Sequence, residues 1–424
     1  MTKKTYPEQR ELINMNRRQY LVAAGTGSIA AVAGCLGGRA DRSLPETPTG
    51  SWPQDRHDEA NTGNADTTVP PRGNHAWTSE EFTRWKPVAA DGEVYIGNVG
   101  AGSDGPPVIV ALNARDGSER WRVTLDNETS HYASAILEEL LVAAYGNQVI
   151  AVDRESGNQE WAATLSGTIF FSKITSVPEK SLVLVPFASR DSNGLVAFDA
   201  TGEQLWSAPL RRSAVDAPAV WGESIYVASG SELRRLNIAD GTEDWTRDVG
   251  DVPLGPSVTT EGVVVAAGGD LTVHDPMTGE QKRRLDGYDS DRVSGARGVA
   301  VAGGTAYWLT HDKLAAVTVA DGAVEWRLDT TARQDGFCVG RETVVAPVRY
   351  DEFDLETEYD GWPTIAAFDR ETGDTRWFYS IDGFDVGFTT PPVLVDGAVY
   401  FVSNTISGVG ALGDVSPADD SGLF

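Results

Sequence analysis

The stretch Ala367-Phe368-Asp369-Arg370-Glu371-Thr372-Gly373-Asp374-Thr375-Arg376-Trp377 decides how this chain folds, because near copies of it recur six more times. ALNARDGSERW ends at Trp121, AVDRESGNQEW at Trp161, AFDATGEQLW at Trp206, RLNIADGTEDW at Trp245 and AVTVADGAVEW at Trp326. VHDPMTGEQKR ends at Arg283, where the tryptophan is replaced. The intervals between these end positions are 40, 45, 39, 38, 43 and 51 residues, a period that signals a propeller or a solenoid. Each part of the motif has a physical task. Small or branched apolar residues close a strand. The Asx residue that follows (Asn113, Asp153, Asp199, Asn237, Asp275, Asp369) accepts a bond from the backbone just ahead and starts a turn. Thr318 stands at the equivalent place as a weaker version. A glycine four residues before the end position permits the positive φ of a tight turn. The tryptophan then lies early in the next strand, where a flat ring can wedge between neighbouring units.

Working outward, a β-rich run precedes every turn: Val94–Ile96, Leu141–Ala143, Leu182–Val185, Ile225–Val227, Val263–Val265, Ala306–Leu309, Val344–Val345 and Val399–Val402. A shorter segment, often with proline, precedes each run, as in Lys86-Pro87-Val88, Ala217-Pro218-Ala219, Gly255-Pro256-Ser257 and Pro391-Pro392-Val393. About four short strands per unit and no amphipathic helix predict an all-β, eight-bladed propeller of four-stranded antiparallel blades. The eighth β run is followed by Gly408–Leu412 but by no further strand. Asn74-His75-Ala76-Trp77, with Trp77 placed 44 residues before Trp121, is expected to supply that strand and tie the ends together. The expected docking tryptophans are Trp77, Trp121, Trp161, Trp206, Trp245, Trp326 and Trp377.

This repeat resembles the tryptophan-docking repeat of pyrroloquinoline-quinone (PQQ) type propellers, over residues 52–412. Trp52-Pro53-Gln54-Asp55 with Asn61-Thr62-Gly63 is similar to the segment that leads into the first blade of such proteins. Asp55-Arg56-His57-Asp58 therefore reads as part of ring closure, although its acids and histidine also invite a catalytic reading.

The formal net charge is −27, with seven lysines against twenty-eight arginines. The acids are spread along ordered repeats and 41% of residues are apolar, so this is an acidic globular surface and not a disordered tail. It resembles proteins of salt-loving archaea, in which concentrated cations screen self-repulsion. The absence of a basic stripe argues against nucleic acid. Asn16-Arg17-Arg18-Gln19-Tyr20-Leu21 resembles a twin-arginine export signal. An apolar run of about 14 residues follows, too short to span a bilayer, and ends at Val32-Ala33-Gly34-Cys35, which resembles a lipobox. The expected organisation is thus a signal peptide over 1–34, acylated Cys35 opening a flexible tether over 35–51, the propeller over 52–412 and a tail over 413–424. Either Met1 or Met15 fits as the start. The remaining cysteine, Cys338, reads as a buried small hydrophobe.

No pair among His57, His75, His131, His274 and His311 has metal-ligand spacing. The insertion 349–363 lengthens the seventh repeat and carries Asp351, Asp354, Glu356, Glu358 and Asp360, weak candidates for a cation site or a ligand-contacting rim loop. Asp286-Gly287-Tyr288, Asp335-Gly336-Phe337 and Asp382-Gly383-Phe384 recur at equivalent links between blades and are candidates for a central funnel. The resemblance implies two functional readings. One is a non-catalytic, monomeric, BamB-like binding scaffold, lipid-anchored on the outer face of the membrane, contacting protein or glycan and using no cofactor. The alternative is a quinoprotein dehydrogenase oxidising alcohols or sugars with PQQ and Ca²⁺. Such enzymes carry vicinal cysteines against the quinone, and this chain has no adjacent pair. No catalytic residue is assigned.

Overall fold

In the computed structural model the chain divides by internal contacts into Met1–Ala31 and Val32–Phe424. Described here are residues 42–98, 107–126, 131–169, 173–214, 216–252, 254–267, 270–285, 296–332, 336–349, 363–380, 390–403 and 408–416, all in the second unit.

Eight antiparallel sheets form the predicted eight-bladed propeller. In the first blade the strands run outward in chain order: Val88–Ala90, Glu93–Asn98, Val108–Asn113 and Glu119–Thr124. The next five blades repeat this order. In the seventh, the inner position is split between Thr331–Ala332 and Cys338–Val339, both paired to Thr343–Arg349. The one helical element among the described residues is a 3₁₀ turn, Pro178–Lys180. The eighth blade joins Val393–Val395, Ala398–Ser403 and Gly408–Gly413 to Asn74–Thr78 from the start of the ring, with Trp77 opposite Ala411 and Thr78 opposite Gly410. The expected closing strand is in place.

Burial follows position in the blade. Second strands such as Gly262–Ala267 are buried on both faces and read as continuous apolar runs. Fourth strands such as Glu119–Thr124 alternate, because one face meets solvent. The apolar clusters lie between blades: Val142, Val149 and Phe198 join blades 2 and 3, and Leu184, Ala197 and Val227 join blades 3 and 4. A blade alone would leave both faces wet, so the ring must be complete to be stable.

The repeated motif behaves as its chemistry requires. Asn113, Asp153, Asp199, Asn237, Asp275 and Asp369 each accept a backbone N–H two or three residues ahead, at 2.8–2.9 Å. Thr318 departs from expectation: its hydroxyl donates to Glu325 at 3.0 Å instead of starting the turn. A one-residue register shift just before the turn recurs in the first seven blades, for example at Ala111/Leu112 and Ala367/Phe368. This bulge adds twist and aims the tryptophan at the next blade.

The docking itself is a bond plus a seat. Trp121 Nε1 donates to Arg154 O (2.7 Å), Trp161 to Ala200 O (3.0 Å), Trp206 to Ile238 O (2.9 Å) and Trp326 to Arg370 O (2.9 Å). Each acceptor is the residue after the Asx of the following blade. The turn glycine of that following blade lies under the ring: a Cβ on Gly157 would meet Trp121 at 2.8 Å, and one on Gly202 would meet Trp161 at 2.6 Å. Arg283 keeps the bond without the ring, since its guanidinium donates to Val319 O at 2.9 Å and also reaches Ala320 O. Trp245 keeps the ring without the bond: its Nε1 has no partner, and Pro276 O accepts from the Tyr226 hydroxyl at 3.1 Å.

The part of the expected tether that is described, 42–50, is packed on the propeller. The Arg42 N–H donates to Ala76 O and the Leu44 N–H to Arg115 O, both at 2.7 Å, and Leu44 is 2% exposed. At the other end Val415 is buried, and its carbonyl accepts from Asn74 Nδ2 at 2.7 Å.

Candidate functional site: the axial channel and its lead-in segment

The innermost strand of a propeller blade has a free edge facing the axis, with backbone donors that pair with nothing in their own sheet. Here the lead-in segment satisfies them. The Ala89 N–H donates to Trp52 O, Ile136 to Pro53 O, Val220 to Glu59 O, Val258 to Ala60 O, Val301 to Thr62 O and Val339 to Gly63 O, at 2.6–3.0 Å. The Ser176 N–H is met by the side chain of Gln54 at 2.7 Å. The seven donors hold the same place, the penultimate residue of each inner strand or the last in blade 7. Residues 52–63 therefore pass blades 1 to 7 in order across one end of the channel. Closure of the ring belongs to Asn74–Thr78. The lead-in segment, expected to share in that closure, braces the channel instead.

Two polar side chains fix the path of this brace. The buried Arg56 guanidinium donates to Gly255 O (3.0 Å), to Ser257 Oγ (2.9 Å) and to Val299 O. Asn61 Nδ2 donates to Ala217 O (2.9 Å) and Pro256 O (3.2 Å). His57 sits edge-on to Trp52 at 5.1 Å and 3.8 Å from Asp58, at a backbone φ of 72°.

Around Asp55 the channel collects charge. Lys86 donates to Asp55 O and stands 5.0 Å over the Trp52 ring. Lys173 Nζ lies 3.7 Å from Asp55 Oδ1. Asp216 accepts the Gly255 N–H at 3.2 Å. Burial acts to raise the Asp55 carboxyl, but the charges of Lys173, Lys86 and Arg56 outweigh it and leave it below the usual carboxylate range. Burial raises Asp216, with the Asp55 charge adding to the effect and Arg56 opposing it. Burial lowers Lys86. The cavity among these groups measures about 10 Å³, room for one water-sized particle, far below what a tricyclic quinone needs. Cys338 is the free cysteine among the described residues, fully buried, its thiol pushed up to about 12 by burial. Among the described residues no group of three or more His, Cys, Asp or Glu could hold a metal ion.

The other histidines are dispersed. His75 pairs with Thr78 and stacks on Tyr379, His131 lies 6.2 Å from Trp85, and His274 is buried between Thr272 and Gly279 O. A second cavity, about 260 Å³, lies at the seam of the ring between Val69, Pro70, Pro71, Arg341, Arg376 and Trp377. Its two guanidiniums are engaged, Arg341 with Asp66 at 2.9 Å and Arg376 with Asp369 at 2.7 Å. Arg17, Arg18, Cys35, the acidic group Asp351, Asp354, Glu356, Glu358 and Asp360, and most of the Asp-Gly-aromatic links fall outside the described residues. Phe337 is the exception among the link aromatics and is buried against blade 6, where it meets Gly298. The brace and the Lys86–Asp55–Lys173 group were not foreseen as a unit. Their one sequence signal is a pair of lysines at equivalent blade positions in a lysine-poor chain.

Comparison with known proteins bears on this geometry. A family model described as outer membrane protein assembly factor BamB matches residues 63–191, 171–295 and 267–411. Among curated proteins, the serine/threonine-protein kinase AfsK of Streptomyces coelicolor is 32% identical over 130 residues, 30% of this chain. The match takes in 14% of the kinase's own length. Among solved structures, the quinohemoprotein alcohol dehydrogenase from Comamonas testosteroni superposes with a TM-score of 0.62 at 12% identity, covering 88% of this chain and 82% of that one. The computationally designed protein Ika8 gives 0.61 at 14% identity, covering 80% and 99%. A europium-containing methanol dehydrogenase gives 0.60 at 11% identity, covering 83% and 89%. At these identities the likeness is one of fold.

Proposed function

The chain belongs to the BamB family of propellers, and from that premise we propose that it is a non-catalytic scaffold that holds partner proteins or surface glycans and uses no cofactor. The observation that carries this reading is the braced channel. The chain's own residues 52–63 fill one end of the axis, and the space left beside Asp55 is about 10 Å³. A quinone needs a clamp on both faces and a cation to polarise its carbonyl. The described channel residues supply neither. The reading includes export through Arg17 and Arg18 and acylation at Cys35, which would place the monomeric propeller on the outer face of the membrane. The inserted loop 349–363 is the part assigned to partner contact, since long blade loops carry function at little cost to the core.

The experiment is a paired assay on the purified protein. Supplied with PQQ and Ca²⁺, it should take up no quinone and reduce no dye with alcohols or aldose sugars. In a pull-down from cell-surface extract it should retain protein or glycan partners, and removal of 351–360 should weaken that retention while leaving the melting temperature nearly unchanged. Stoichiometric quinone binding with substrate-dependent dye reduction would establish the dehydrogenase reading instead. Cys35→Ser should release the protein from the membrane fraction; unchanged fractionation would remove the lipid anchor.

A further inference from the structure

Lys86, Ala133 and Lys173 occupy the same place in blades 1, 2 and 3, three residues before the brace-bonded Ala89, Ile136 and Ser176. The small residue in the middle leaves a gap between the two ammonium groups. Tyr132 and Ser134, on either side of Ala133, line the same cavity. Tyr132 is 3% and Ser134 8% exposed. Their hydroxyls lie beside one another, yet neither has a partner at hydrogen-bond geometry. Burial holds the Tyr132 phenol well above its ordinary range, so it stays a donor.

The cavity is rich in donors. Each ammonium carries three N–H donors and no acceptor, and each hydroxyl adds one donor. The acceptors are Asp55, whose carbonyl is taken by Lys86 and whose carboxylate faces Lys173, and the two hydroxyl oxygens, so donors still outnumber charged acceptors. The lining carries two positive charges and one negative. A water molecule could accept from both hydroxyls, but it brings two further donors and leaves the net positive charge of the lining uncompensated. A small particle that only accepts hydrogen bonds and carries one negative charge would neutralise the site and satisfy both hydroxyls.

We propose that the cavity bounded by Lys86, Lys173, Tyr132, Ser134 and Asp55 binds one monatomic monovalent anion, a halide. The ion ties blades 1, 2 and 3 to the brace at one point, independently of what the outer surface of the propeller binds.

Bromide is the probe. Crystals of the full chain soaked in potassium bromide should show an anomalous peak in this cavity, within hydrogen-bonding reach of Tyr132 Oη and Ser134 Oγ, and Lys173→Met should abolish it. In solution, the melting temperature of the wild type should be higher in potassium chloride than in potassium gluconate at equal ionic strength. Tyr132→Phe with Ser134→Ala, which retains both lysines and the packing, should lose that difference. A cavity without anomalous signal, or an anion preference equal in the wild type and the double variant, would overturn the site.

Discussion

A tryptophan at the end of each repeat is a ring that one blade offers to the next. Trp161 donates to Ala200 O and rests on Gly202, and Trp377 donates to Pro70 O and rests on Gly73, where a Cβ would stand 2.2 Å from the ring. Trp161→Ala or Trp377→Ala opens a void between blades and should cost about 3–5 kcal/mol. Arg283 makes only the polar half of this contact, so Arg283→Ala should cost less, about 1.5–3 kcal/mol, the scale of hydrogen bonds to a charged group. Denaturant melts of the three variants decide it; equal losses would remove the docking assignment. The spacing of tryptophan and glycine was legible because both recur in register. The partner of each glycine was not, since the ring it seats belongs to the preceding blade. Gly73 shows this best: it stands four residues before Trp77, as every turn glycine does, but its Asx lies at no nearby position because the turn is cut by the chain ends.

At the scale of the turn, the turn acids, both Asx residues and the aspartate that precedes a turn glycine, are held ionised by donors from their own loop. Asp153 is stabilised as a carboxylate chiefly by the Ser156 hydroxyl, Asp240 by the Thr242 hydroxyl and Asp275 by the Thr278 backbone N–H, and all three lie below the usual carboxylate range. A carboxyl whose folded pKa is depressed contributes stability above its unfolded pKa, near 4, and loses it as pH falls through the folded value. Melting temperature should therefore drop as pH falls below about 4. Asp153→Asn with Asp275→Asn, which keeps the acceptor oxygen and removes the titration, should flatten that limb. Parallel curves for the variant and the wild type would show that the turns do not carry the acid response. These turns, and the four-strand rhythm around them, could be read from sequence because side-chain chemistry specifies them. The brace could not. Its acceptors are mostly backbone carbonyls, which any residue supplies, and only Gln54, Arg56 and Asn61 mark the path with side chains.

For the molecule as a whole, residues before the first blade do two separable things. Asn74–Thr78 closes the ring, and 52–63 satisfies seven inner-edge donors across the channel. A chain shortened to begin at Val69 keeps Pro70, Gly73 and Trp77, hence the seam and the Trp377 dock, but has no brace. A chain beginning at Asp91 loses the closing strand and the inner strand Val88–Ala90 as well, and leaves Gly408–Gly413 with an unpaired edge open to other chains. The first should remain a monomer with a lower melting temperature. Each lost bond is worth about 0.5–1.5 kcal/mol net, because water can enter the opened channel and take the acceptor's place. Its amide exchange should accelerate at Ala89, Ile136, Val220, Val258, Val301 and Val339 together, while the second-strand amides of the same blades stay protected. The second chain should aggregate. If the chain from Val69 exchanges those six amides as slowly as the full protein, the segment is a passenger in the channel. If the chain from Asp91 stays monomeric and melts with the full protein, the ring closes without its eighth outer strand.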